Sequence, residues 1–168
     1  MSDQTTNGGA MPASPGGAPQ PGGPPAIAIN VQYVKDLSFE NPNAPHSLVQ
    51  AQTRPQIEVS VDVQGRNVAQ NSFEVALRIN ATAKQGEATA FMVELLYAGI
   101  FTLQNIPQEQ LEPILLIECP RLLFPFARRV VADATRDGGF PPLMLEPIDF
   151  LQLYQRHRQA AAAQTAQA

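Results

Sequence analysis

Cys119 stands directly before Pro120 at what reads as the start of a helix. A thiol near a helix N-terminus can have its pKa lowered and become a nucleophile. Yet no histidine is close to Cys119 in sequence, and a lone cysteine is more often a small buried hydrophobe. The two histidines are no stronger: His46 sits between Pro45 and Ser47, and His157 lies in a basic run near the C-terminus. Neither has cysteine or acidic neighbours at metal-ligand spacing, so loop packing and solvation explain them better. Gly8-Gly9, Gly16-Gly17 and Gly22-Gly23 occur in a Pro-rich stretch rather than in a strand–turn–helix, so no phosphate cradle is expected. An enzyme needs convergent groups. The sequence offers none, and no catalytic residue, metal or cofactor is expected.

What remains is contact chemistry, carried by alternating acids and apolar residues. In the first strand Ile27, Ile29, Val31, Tyr33, Leu37 and Phe39 share one parity, with Lys35 the exception, while Asp36, Ser38 and Glu40 share the other. Ile57, Val59, Val61 and Val63 alternate with Glu58, Ser60 and Asp62. Phe73, Val75, Leu77 and Ile79 alternate with Glu74, Ala76, Arg78 and Asn80. Half-buried strands of this kind form antiparallel sheets with one wet face. The fourth strand is apolar on both faces: Phe91, Val93, Leu95, Tyr97 and Phe101 on one, Met92, Leu96 and Ile100 around Glu94 on the other. A second apolar row points to an oligomer or partner contact.

The period then lengthens. Pro107 can open a short helical segment that Pro113 bends. Leu123, Phe126, Ala127, Val130, Val131 and Ala134 form one stripe of a longer helix that Gly138-Gly139 stops. A Pro-stiffened loop with Phe140, Leu143, Met144 and Leu145 comes next, then a last helix from Ile148 to about Arg158. The expected fold is α+β: a four-stranded antiparallel sheet followed by two principal helices.

Composition sets the boundaries. Residues 1–26 hold six Pro and six Gly with Asp3 as the single charge, which predicts disorder. Residues 27–158 form the domain, and residues 159–168 read as a flexible Ala/Gln-rich tail. With one cysteine, no apolar run of spanning length and no secretory pattern, the chain is expected in the cytoplasm, without membrane insertion. A net charge of −4 argues against nucleic acid as a partner.

The segments "YVKDLSFENPNAPH", "GEATAFMVELLYAGIF" and "CPRLLFPFARRVVADATRDGGFPPLMLEPIDF" resemble the SecB family of protein-export chaperones, in unbroken order from about Ile29 to Tyr154. The resemblance implies a homotetramer, a dimer of dimers, that binds unfolded precursor proteins and delivers them to the SecA motor ATPase. It assigns the SecA-binding face to Asp36, Glu40, Met92 and Glu94. It also implies a long apolar client groove, for which Phe124, Phe126, Phe140, Leu143, Phe150 and Tyr154 are the candidates. Two features depart from the family pattern: the longer Pro/Gly-rich N-terminal extension, and a basic, then Ala/Gln-rich end where relatives often end acidic. The residues also leave open a small acyl-binding α+β enzyme, and a SecB-like chaperone dedicated to a toxin–antitoxin pair.

Overall fold

The computed structural model describes residues 22–49 and 54–167. Most of the expected N-terminal disorder therefore lies outside the described residues. Strands β1 (Ala26–Glu40), β2 (Gln56–Ala69), β3 (Ser72–Gln85) and β4 (Ala88–Gln104) form one antiparallel sheet of order β1-β4-β3-β2. A one-turn helix, α1 (His46–Val49), lies beyond β1. The helical half comprises α2 (Gln108–Pro113), a π-helical segment (Ile114–Glu118), α3 (Cys119–Asp137) and α4 (Phe150–Ala166). The α+β architecture is as the periodicity predicts.

Pro107 caps α2, and the bend expected at Pro113 takes the form of a π-helical run. A proline denies the preceding turn one hydrogen bond, and wide turns accommodate that loss. The core lies between one sheet face and the helices: Val75, Leu77, Ile79, Val93, Leu95 and Phe101 pack against Leu115, Ile117, Leu123, Ala127 and Val131. Thr135 is fully buried and fixes the loop beyond α3. Its Oγ1 donates to the carbonyls of Val131 and Ala132 and accepts from the Leu143 amide at 2.9 Å.

Three expectations need correction. Phe126 does not join the buried stripe of α3; it is 45% exposed, because the buried face is Cys119, Leu123, Phe124, Ala127 and Val131. The last helix runs to Ala166, since alanine is the strongest helix former, so no break in structure marks residue 159.

The third concerns β1, which is not one alternating strand. Its register slips between Ile29 and Val31 and again between Val34 and Asp36. Each bulge inverts the faces of the residues beyond it. Val31 and Tyr33 pair with Ile100 and Ala98 and so lie on the outer face, not in the core. After the second bulge, Leu37 and Phe39 pair with Leu95 and Val93 and return to the core side. Lys35, the polar exception in the alternation, is the residue left unpaired at that second bulge.

Candidate functional site

Two cancelling bulges leave Asp36 and Glu40 on the outer face, the side away from the helices. Glu40 pairs with Met92, Ser38 with Glu94, and Asp36 with Leu96. The four residues assigned to one docking face therefore do fall on adjacent strands of one surface. The carboxylates are exposed and Met92 is half-buried between its neighbours. Across β3 the same rows reach Glu58, opposite Thr82, and Asp62, opposite Arg78. The patch is thus acidic with an apolar line, Met92 to Leu96, running through it. Such a surface suits a partner bringing cations around an apolar contact.

Further along this face the charge pattern changes. Glu74 of β3 is buried and accepts from Lys35 Nζ and Arg66 Nε, each at 2.9 Å, and from the Tyr33 hydroxyl. Its donors come from β1 and β2, so Tyr33 and Lys35 must reach across β4. They pass where β4 carries Ala98, which is fully buried although it lies on the outer face. The Arg66 guanidinium, then the Tyr33 hydroxyl and the Lys35 ammonium, hold the Glu74 carboxyl down at about 2. Burial, then the bond to Glu74, pushes the Tyr33 hydroxyl up to about 12, so it remains a donor. Sequence periodicity alone misses this cluster. It follows the second strand only to Val63, whereas β2 continues to Ala69 and sets Arg66 opposite Glu74. The displaced Lys35 is the available signal.

The six groove candidates do not line one channel within the chain. Phe124 and Phe150 are buried against each other, ring centroids 6.1 Å apart at 71°, and serve as core. Phe140 is half-buried and belongs to a second cluster with Phe39 and Phe91, 4.9 Å from the latter. Gly138-Gly139 brings that cluster together. A Cβ on Gly138 would stand 2.2 Å from the Phe39 ring, and Gly139, at φ +89°, lies against Leu48 of α1. Leu143 and Tyr154 are half-buried, and Tyr154 borders a hollow with Leu116 and Ala161. Phe126, Leu122 and Met144 are exposed. The partly open apolar side chains here are Phe39 and Phe140, resting on buried Phe91, with exposed Leu48 nearby against Gly139.

Cys119 is fully buried; burial, then the neighbouring Glu118, pushes its thiol up to about 12, the reverse of activation. Among the described residues, no group of three or more His, Cys, Asp or Glu is placed to hold a metal, and no helix is long and apolar enough to cross a membrane.

A family model described as "Preprotein translocase subunit SecB" matches residues 20–161. The chain is 55% identical over 167 residues to the protein-export protein SecB of Parvibaculum lavamentivorans, spanning 99% of this chain and 98% of that one. That relative therefore aligns through most of the N-terminal extension as well, so the extension is not peculiar to this chain. Against the protein-export protein SecB of Maricaulis maris the identity is 56% over 141 residues, or 83% and 82% of the two chains. Among solved structures, a Mycobacterium tuberculosis SecB-like chaperone in complex with a ChAD peptide from the HigA1 antitoxin shares the fold. Its TM-score is 0.62 at 16% identity, over 73% of this chain and 90% of that one. The chain belongs to the SecB family of preprotein translocase subunits.

Proposed function

We propose that this chain is an export chaperone: it binds unfolded precursor proteins in the cytoplasm, keeps them competent for translocation, and delivers them to the motor ATPase SecA. The observation that carries the reading is the separation of two surfaces. A partly open apolar surface of Phe39, Phe140 and Leu48, resting on buried Phe91, lies where the end of α3 meets the loop after β1. An acidic face with Asp36, Glu40, Met92 and Glu94 lies on the opposite side of the sheet. A holdase that hands over its cargo needs both at once.

Client binding would follow the hydrophobic effect. Burial contributes roughly 25 cal/mol per Å² whatever the apolar sequence, so exposure rather than a motif selects the client. Slow-folding chains, with many non-local contacts, stay exposed long enough to be caught. The working form is a homotetramer, a dimer of dimers, because the single chain leaves apolar residues open along β1 and α3. In the assembled particle Phe126, Met144 and Tyr154 become candidates for the client path or for contacts between copies, whereas Phe124 and Phe150 act beneath it as support. The proximity of α4 to Asp62, through His157 Nε2 at 3.8 Å, favours a fixed position for that helix rather than a free tail.

Refolding of a slow-folding precursor in the presence of excess tetramer tests the reading. Spontaneous folding should be arrested and should resume, or pass to translocation, on adding SecA. An unchanged rate and yield of refolding would end it. The same preparation, screened for hydrolysis of acyl thioesters, should show no turnover.

A further inference from the structure

The outer face contains one buried carboxylate that makes no direct contact with the docking acids. Glu74 is 6% exposed and takes donors from Tyr33, Lys35 and Arg66. Of those donors, Lys35 is the unpaired residue of the second bulge of β1, between Val34 and Asp36, and Tyr33 lies just before it. Asp36 and Glu40 owe their side of the sheet to that bulge. The first bulge inverts the strand, and only the second restores the parity on which both acids face outward.

We propose that Glu74 is a positioning residue for the acidic docking face: by holding Tyr33 and Lys35 from across β4 it pins the second bulge, and so keeps Asp36 and Glu40 pointing outward. The inference rests on the reading of that face as the SecA dock. Within the single chain, before any second copy covers β1, hydrophobic selection of its register is weak, because the core-side residues Ile27, Ile29, Val34 and Leu37 are all exposed. A bulged residue also lacks its share of the backbone ladder. On one side the bulge is held by the stack of Phe39 on Phe91, 5.8 Å between centroids. On the other, the Glu74 cluster is the only side-chain tether from β3 to β1 among the described residues' hydrogen bonds. Without it, a slip that erases the bulge turns both acids toward the helices.

The test uses the full-length assembled protein and three readouts. These are SecA affinity by calorimetry, capture of an unfolded precursor, and amide–amide NOEs across the Ser38–Glu94 and Asp36–Leu96 pairs in deuterated protein. Glu74→Ala should weaken SecA binding at least ten-fold, lose or split the interstrand NOEs, and hold client capture within two-fold of wild type. Lys35→Met should shift all three readouts in the same direction by a smaller factor. Glu74→Gln, which preserves shape and one acceptor, should recover part of the loss. Unchanged NOEs and affinity in Glu74→Ala would overturn the proposal. So would lost affinity with intact NOEs, which would place Glu74 in direct contact with the motor. Should wild type fail to bind SecA, the dock reading falls and the NOEs alone decide the role of Glu74. Should Glu74→Ala fail to fold, the NOEs of Lys35→Met decide.

Discussion

At Gly138 the backbone is ordinary, with no positive φ, so the requirement for glycine is purely one of space. The Phe39 ring occupies the volume a Cβ would fill, at 2.2 Å, and that ring is stacked on Phe91. Gly138→Ala must therefore push Phe39 out of a packed trio, at a cost of about 1–3 kcal/mol, as for other overpacked sites. Urea denaturation should report that loss, together with weaker capture of unfolded precursor. Equal stability of wild type and variant would mean that the ring moves freely. Glu74 supplies a second residue-level prediction. Its carboxyl is held at about 2, below the usual carboxylate value of 4.5, so the charged form is stabilised by folding. That contribution is complete above pH 4.5 and drains away as the pH falls toward 2. The stability gap between wild type and Glu74→Gln should accordingly narrow across this window. A gap of the same size at both ends of it would show that the charge contributes nothing.

Among the elements, β1 carries most of the functional argument, and it is the element least completely legible in the sequence. The alternation of β3 and β4 can be read directly, because both strands are central and one whole face of each is buried; Val75, Leu77, Ile79, Val93 and Leu95 show no more than 1% exposure. The outer position of Asp36, Glu40, Met92 and Glu94 agrees with parity, but for β1 only because two bulges cancel. A pattern with period two cannot register a pair of inversions that restores itself, except through its misfits, and Lys35 is the misfit. The client groove that the resemblance implies is less legible for another reason. Sequence shows that aromatics cluster late in the chain, but not which side of a helix meets the sheet: Phe124 turns inward and Phe126 outward, two residues apart. The acidic face itself yields a clean experiment. Asp36→Arg with Glu40→Arg changes two exposed side chains without touching the core. Binding to SecA should fall by at least ten-fold and its salt dependence should flatten, while client capture and thermal stability stay near wild type. Parallel loss of client capture would mean that the acids shape the fold and not the dock.

Taken as one molecule of 18.1 kDa, the chain leaves too much apolar surface open to be a comfortable monomer. β1 is an edge strand of 15 residues with Ile27, Ile29 and Val31 exposed, and α3 presents Leu122 and Phe126 on its outer side. An uncovered apolar edge strand is a template for pairing, so proteins cover such edges or blunt them. Here the edge carries Lys35, but that ammonium is drawn onto the outer face by Glu74 and does little to guard the backbone. A second copy covering each surface would resolve both exposures, and two distinct surfaces would build a closed assembly larger than a dimer. Light scattering at micromolar concentration should then give about four times the chain mass. Leu122→Glu with Phe126→Glu removes the α3 contact alone, each side chain contributing roughly 1.5–3 kcal/mol when fully buried. That variant should scatter as a dimer with an unchanged circular dichroism spectrum, and should hold a long unfolded precursor less tightly than a short peptide, because a path crossing between pairs of copies has been cut. A wild-type monomer at that concentration would refute the assembly. A tetramer unaffected by the two glutamates would move the second contact away from α3 and leave Leu122 and Phe126 to the client.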